Sequence, residues 1–131
     1  MKLWGGMALV ALLGLGGCGP APEPKAMVQI SGEAFYRERV IAALGSVMTI
    51  SLQDVSRQDV AATVIAKQTQ QVQGPPPFAF VIDYDPDLID PRMTYSLSVR
   101  IEERGELRFI SPSHENPFEG DNRILLQAVG Q

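Results

Sequence analysis

The sequence predicts an all-β domain, an antiparallel β-sandwich of about seven strands. Three observations point there. Apolar and polar residues alternate with period two through several short segments, and no apolar stripe recurs every three or four residues as a helix would need. Prolines, glycines and aspartates punctuate these segments, as turns between strands require. Once an apolar N-terminal run is set aside, about 100 residues remain, which suits seven short strands in a single domain.

The first strand begins at Val28, where Val28, Ile30, Gly32 and Ala34 alternate with Gln29, Ser31 and Glu33. Arg37-Glu38-Arg39 and residues 42–46 turn the chain into a second strand. That strand sets Met48, Ile50 and Leu52 on one face and Thr49, Ser51 and Gln53 on the other. After a polar connection at 54–59, residues 62–69 form a third. Residues 51–73 carry few breakers and admit a reading as one long helix. The run Thr63-Val64-Ile65 argues against it, since β-branched side chains lose rotamer freedom in a helix and the apolar spacing is not helical.

Gly74-Pro75-Pro76-Pro77 has three consecutive residues without a backbone donor, so it can only be a stiff entry into the fourth strand. There Phe78, Phe80, Ile82 and Tyr84 face one way. Asp85-Pro86 and Asp90-Pro91 follow; each joins a side-chain acceptor to a residue whose φ is already near helical values, which opens a helix cap or a type I turn. Leu88 and Ile89, between them, can pin the turn to the core. Tyr95, Leu97, Val99 and Ile101 then mark the clearest strand of the chain. Glu103-Arg104-Gly105-Glu106 makes a hairpin turn, residues 107–110 a short strand, and residues 124–129 the last.

The segment from Ile89 to Val99 resembles the tyrosine corner of immunoglobulin-like sandwiches, in which a Tyr near the start of a strand bonds backbone a few residues upstream. The resemblance gives Tyr95 that structural role. Tyr95 as an ordinary core residue is the competing reading.

The N-terminus carries a second signal. Lys2 gives a short basic start, residues 3–15 are uncharged and largely apolar, and two glycines precede Cys18, the only cysteine. The stretch Leu15-Gly16-Gly17-Cys18 resembles a bacterial lipobox, which implies removal of a signal peptide (1–17) and acylation of Cys18. A transmembrane helix needs roughly 20 apolar residues, and glycines break this run before Pro20 ends it. Residues 18–27 read as the lipidated cysteine and a tether whose prolines at 20, 22 and 24 favour extended chain, about 3.1 Å per residue, and residues 28–131 as the β domain. The residue after Cys18 is Gly19. In lipoproteins an aspartate there usually holds the protein in the inner membrane, so the resemblance implies the outer membrane, facing the periplasm.

With residues 1–17 removed the chain has 10 basic and 15 acidic side chains, a net charge of −5. That surface excludes nucleic acid as a partner and gives no basic patch for anionic lipid. Membrane attachment then rests on acyl chains, of which stable anchoring takes two or more. Enzyme readings fare poorly, because a single histidine, His114, stands in a segment (111–122) that reads as a solvated loop. Asp83, Asp85 and Asp87 follow the spacing of a calcium loop, but the glycine position is Leu88 and the closing acid position is Thr94. Neither a metal nor another cofactor is expected. Phe118 is the candidate for a partner-binding side chain, against the alternative that it folds back to hold its own loop.

Ile50-Ser51-Leu52-Gln53-Asp54-Val55-Ser56-Arg57, with residues 62–66, is similar to the YbaY-type lipoproteins, as is Tyr84-Asp85-Pro86 through Ile89-Asp90-Pro91-Arg92 and the Tyr95 strand. That family is related to the YscW-type pilotins, lipoprotein chaperones of outer-membrane secretin rings. The resemblance spans about residues 28–109. It implies a non-enzymatic, lipid-anchored envelope protein that binds or helps assemble another envelope component, a secretin being the candidate partner. A binder of a small molecule or of cell-wall glycan is the alternative.

Overall fold

The computed structural model describes Gly14 and residues 26–39, 42–57 and 59–130. The expected signal peptide (1–17, Gly14 apart), the expected lipidation site Cys18 and residues 19–25 of the expected tether lie outside the described residues. The domain is all-β, with two sheets. In chain order its strands are β1 (Val28–Phe35), β2 (Val47–Asp54), β3 (Thr63–Gln71), β4 (Phe78–Tyr84), β5 (Tyr95–Glu103), β6 (Glu106–Ile110), β7 (His114–Glu115), β8 (Asn122–Leu125) and β9 (Gln127–Ala128). One sheet runs β4-β1-β8; the other runs β3-β2-β5-β6-β9, with β7 paired to β5.

The inward residues of the larger sheet meet in apolar register. Met48 opposes Ile101, Ile50 opposes Val99 and Leu52 opposes Leu97. All six are fully buried. Cutting back Met48, Ile50, Leu52, Leu97 or Ile101 to alanine removes buried aliphatic groups and leaves a cavity, a cost of about 2–5 kcal/mol. Across from them the smaller sheet contributes Ile30, Ala34, Phe78, Phe80, Ile82, Tyr84 and Ile124 to the same core. The side between the sheets is bridged at one point, where Gln70 Nε2 donates to the Ala79 carbonyl at 2.9 Å. At the other end of the core Tyr36 stacks on Phe109 with centroids 4.3 Å apart, and its hydroxyl accepts the Ala42 N–H.

Several expectations change. Nine strands are described where about seven are expected. The additional ones are the two-residue β7 and the separation of the last segment into β8 and β9 around Leu126, whose N–H crosses to the Phe35 carbonyl. The sheets are not wholly antiparallel, for β1 and β8 pair in parallel. Parallel neighbours need a long crossover rather than a tight turn, and here nearly the whole domain intervenes. Leu88 does not pin its turn and is exposed, whereas Ile89 packs on the core. His114 is not a solvated loop residue. It is half-buried in β7, with Nε2 3.0 Å from Asn122 Oδ1. Asn122 Nδ2 donates to the carbonyls of Ser31 and Pro117, so its oxygen faces the imidazole and His114 Nε2 is the donor.

Gly32 pairs with Phe80 on one side and Asn122 on the other. A Cβ there would stand 2.4 Å from the Asn122 carbonyl oxygen and 2.7 Å from the Phe80 ring. The Phe80 contact is with the tip of a buried ring, but the Asn122 contact is with backbone and Cβ, which cannot withdraw without moving β8. Gly32→Ala is therefore expected to destabilise the domain by about 1–3 kcal/mol through overpacking, read as a lowered midpoint in thermal or urea unfolding.

Candidate functional site

The strand that packs Phe78, Phe80, Ile82 and Tyr84 inward ends at Tyr84, and the chain then needs a way back to β5. It takes a single 3-10 turn, Pro86–Leu88, opened by Asp85. The Asp85 carboxylate accepts the Asp87 N–H at 2.9 Å, and the Leu88 N–H closes on the Asp85 carbonyl. A second turn follows at Asp90-Pro91. Here the carboxylate accepts the Arg92 N–H and also receives its guanidinium, from Nε at 3.2 Å and Nη2 at 3.0 Å. The Arg92 side chain, and after it the Arg92 N–H, hold the Asp90 carboxyl below the ordinary carboxylate range, and Asp90 in turn raises Arg92.

The buried Tyr95 ties this connection down. Its hydroxyl accepts the Asp90 N–H at 2.8 Å and lies 3.5 Å from the Leu88 carbonyl. The residue before it is held from β2. The Ser56 hydroxyl donates to Asp54 Oδ1 at 2.6 Å while accepting the Thr94 N–H at 2.8 Å, and the Val55 N–H reaches the Thr94 carbonyl. First the Ser56 hydroxyl, then the Ser56 N–H, depress the Asp54 carboxyl.

Between this connection and the segment Asn116-Pro117-Phe118 runs an apolar groove of about 470 Å³. Tyr84, Tyr95 and Phe118 are its aromatic lining, Ile89, Met93 and three prolines its other apolar residues, and Asp90, Thr94 and Asn116 its polar ones. The Phe118 ring packs against Tyr84 (centroids 5.5 Å apart) and edge-on against Tyr95 (5.7 Å), yet the residue remains 42% exposed. Its segment is fixed at both ends. Asn122 holds the Pro117 carbonyl, and the Glu119 N–H turns back to the Asn116 carbonyl, with Asn116 in the left-handed region that Asn tolerates. A shallower depression continues the groove past Tyr84 and Phe118 to Val28 and Gln29, where the chain enters the domain.

The structure thus gathers Pro86, Asp90, Pro91, Tyr95 and Phe118 around one groove, with Asp85 capping the turn beside it. Sequence reasoning missed Tyr84, Ile89, Met93, Thr94, Asn116 and Pro117 as its lining. Tyr84 reads from its alternation as plain core, and the meeting of Tyr84 with a ring 34 positions later leaves no local signal. No group of three or more His, Cys, Asp or Glu side chains able to hold a metal occurs among the described residues. What the site offers is apolar and aromatic contact area, with the Arg92-bound carboxylate of Asp90 at its edge.

Residues 25–126 match the family model of YscW, the type III secretion system lipoprotein chaperone. A solved structure of an alternative pilotin from the type II secretion system of Vibrio cholerae is 36% identical, superposes with a TM-score of 0.73, and covers 81% of this chain and all of that one. The uncharacterized lipoprotein YbaY of Escherichia coli is 30% identical over 83 residues, 63% of this chain. The chain spans less than half (44%) of that relative's length. It belongs to the YscW family of lipoprotein chaperones.

Two measurements check the scaffold of the groove. In an NMR titration Asp54 and Asp90 are expected to titrate below the ordinary carboxylate value, and Ser56→Ala returns Asp54 upward. A carboxyl depressed by folding contributes stability that is whole above its unfolded pKa and is lost as the pH falls through its folded one, so these contacts weaken only below about pH 4. Tyr95→Phe leaves the part-buried Asp90 N–H without its acceptor and is expected to cost about 1–2 kcal/mol in urea unfolding.

Proposed function

We propose that this YscW-family lipoprotein is an assembly chaperone that holds a segment of another envelope protein, an outer-membrane secretin, in the groove between Tyr84, Tyr95 and Phe118. The single observation that carries this reading is that groove. It keeps Phe118 42% exposed in its lining, although two tyrosines already pack against the ring. Pockets that take ligands or partner side chains are concave and mostly apolar, with a few polar groups to orient what they hold, and this one has that composition.

The protein is non-enzymatic and lipid-anchored in the cell envelope, at the outer membrane and facing the periplasm. Its likeness to a pilotin by both sequence and fold supports the assembly role. We read residues 1–17 as a removed signal peptide, Cys18 as the acylated N-terminus, 18–27 as the tether and 28–131 as the working domain. The two sheets, which share one core, are read as an immunoglobulin-like sandwich, with Tyr95 as its tyrosine corner and the two Asp-Pro turns as its supports. The tether meets the domain at Val28, and Val28 opposes Tyr84 across β1 and β4. A segment seated in the groove is then held within about 30 Å of the membrane face, the reach of ten extended residues.

Expression of the full chain in its host checks the reading. Mass spectrometry of the native protein should find an acylated Cys18 as the first residue. Affinity capture from solubilised envelopes should recover the secretin at a fixed ratio, and Phe118→Ala should lower that recovery at least fivefold while the domain, though it loses two ring contacts, stays folded at the assay temperature. Undiminished recovery with Phe118→Ala moves the docking site elsewhere.

A further inference from the structure

We infer that the outer edge of β3 is a second docking element, which pairs by main chain with an extended segment carrying a carboxylate opposite Lys67. The inference rests on the docking reading above: the segment belongs to the partner whose anchor sits in the groove. β3 ends the larger sheet, with β2 on one side and no strand on the other. The Val72 N–H donates to the Ser46 carbonyl, and the register of β2 and β3 runs on from that pair without a shift as far as Leu52 and Ala66. Backbone groups of an antiparallel pair turn toward the neighbour and away from it at alternate residues. Gln70, Gln68 and Ala66 therefore face β2, while Gln71, Thr69 and Lys67 aim their N–H and C=O outward. All three of these outward residues are exposed.

The remaining strand edges are poorer templates. β8 has four residues and β9 two, and β4 follows three prolines and already gives its Ala79 carbonyl to Gln70. β3 has nine residues and no proline, and its bulge at Ile65 lies ahead of the regular stretch. Extended partners bind such an edge through main-chain bonds, and side chains decide which partner fits. Here one side chain decides. Lys67 is the only charged residue from Val60 to Ile82, and it forms no ion pair with any described residue. An antiparallel second copy centred on this strand would set Lys67 against Lys67, whereas a carboxylate there completes a cross-strand pair. The edge is also continuous with the groove. Met93 lines both the groove and the depression that holds Arg57 and Thr63, the first residue of β3. From Thr63 to Lys67 is about 13 Å of strand, so a segment leaving the groove past Met93 reaches the lysine within a few residues.

Isotope-labelled full chain in phosphatidylcholine nanodiscs tests this by NMR. The probes are the peptide Leu-Phe-Leu-Gly-Thr-Val-Thr-Glu-Thr-Val-Thr and its twin with lysine in place of glutamate. Amide exchange at Lys67, Thr69 and Gln71 is expected to slow at least tenfold with the glutamate peptide bound, while Gln68 and Gln70, already facing β2, are unchanged. The glutamate peptide should bind about fivefold more tightly than its twin at 50 mM salt, and Lys67→Glu should reverse the order. Thr69→Pro removes an outward donor and no bond to β2, so it should weaken the glutamate peptide at least fivefold with the β2 amides still protected. Phe118→Ala reads the groove separately. Binding that needs Phe118 but leaves the three amides unprotected overturns the edge and spares the docking reading. Protection with equal binding of the twins overturns the carboxylate. Protection and affinity that both survive Phe118→Ala support the edge and overturn the groove as its anchor. Protection that grows with the number of copies per nanodisc, without peptide, gives the edge to a second copy and overturns the partner. Binding of neither peptide overturns edge and groove together.

Discussion

Three strands meet where β1 has no side chain. Phe80 lies over Gly32 from β4, and the backbone and Cβ of Asn122 press on the same position from β8. Because Gly32 adds nothing, β1 can accept an antiparallel neighbour on one side and a parallel one on the other at close range. Both walls of the groove inherit their position from this contact. The register that lays Phe80 on Gly32 also sets Val28 opposite Tyr84, from which the wall of Asp-Pro turns departs. On the other side Asn122 spends its amide on the Ser31 and Pro117 carbonyls, and so carries the Phe118 segment to the same end of the domain.

The connection between β4 and β5 keeps its shape through local hydrogen bonding more than through burial. Aspartates 85 and 90 each take the N–H two residues on, which satisfies donors that a tight turn cannot pair with backbone. Tyr95 then joins the turn to the core, since its ring is buried while its hydroxyl reaches the Asp90 N–H. Asp54, Ser56 and Thr94 do the same from the end of β2. The groove thus rests on rigid strand ends, and the aromatic surface it exposes does not have to be ordered when a partner arrives. Preorganisation of this kind lowers the entropic cost of binding.

Much of the fold is legible in the sequence because the buried apolar residues of β2, β4 and β5 keep to period two. Phe78–Tyr84 alternates buried and exposed at every step, and β5 buries Tyr95, Leu97, Val99 and Ile101 as their spacing predicts. The β-branched run at Thr63 decides strand over helix for β3, which sits at a sheet edge with a bulge near Ile65 and so keeps little alternation of its own. What is not legible depends on contacts far apart in sequence. Nothing near Asn122 announces that its amide holds Pro117, and nothing near His114 says it will pair with β5 rather than stay in solvent. The groove is illegible for the same reason. Its turn residues are visible as Asp-Pro pairs, but that Phe118 completes the lining follows only from the parallel return of β8 to β1.

The groove lies at the end of the domain where its first strand begins. Val28, the first residue of β1, stands across from Tyr84, so any pull on the chain ahead of β1 enters the fold beside the groove. A site at the Tyr36–Phe109 end would lie the full length of β1 farther from the membrane, roughly 25 Å for eight residues at 3.3 Å each.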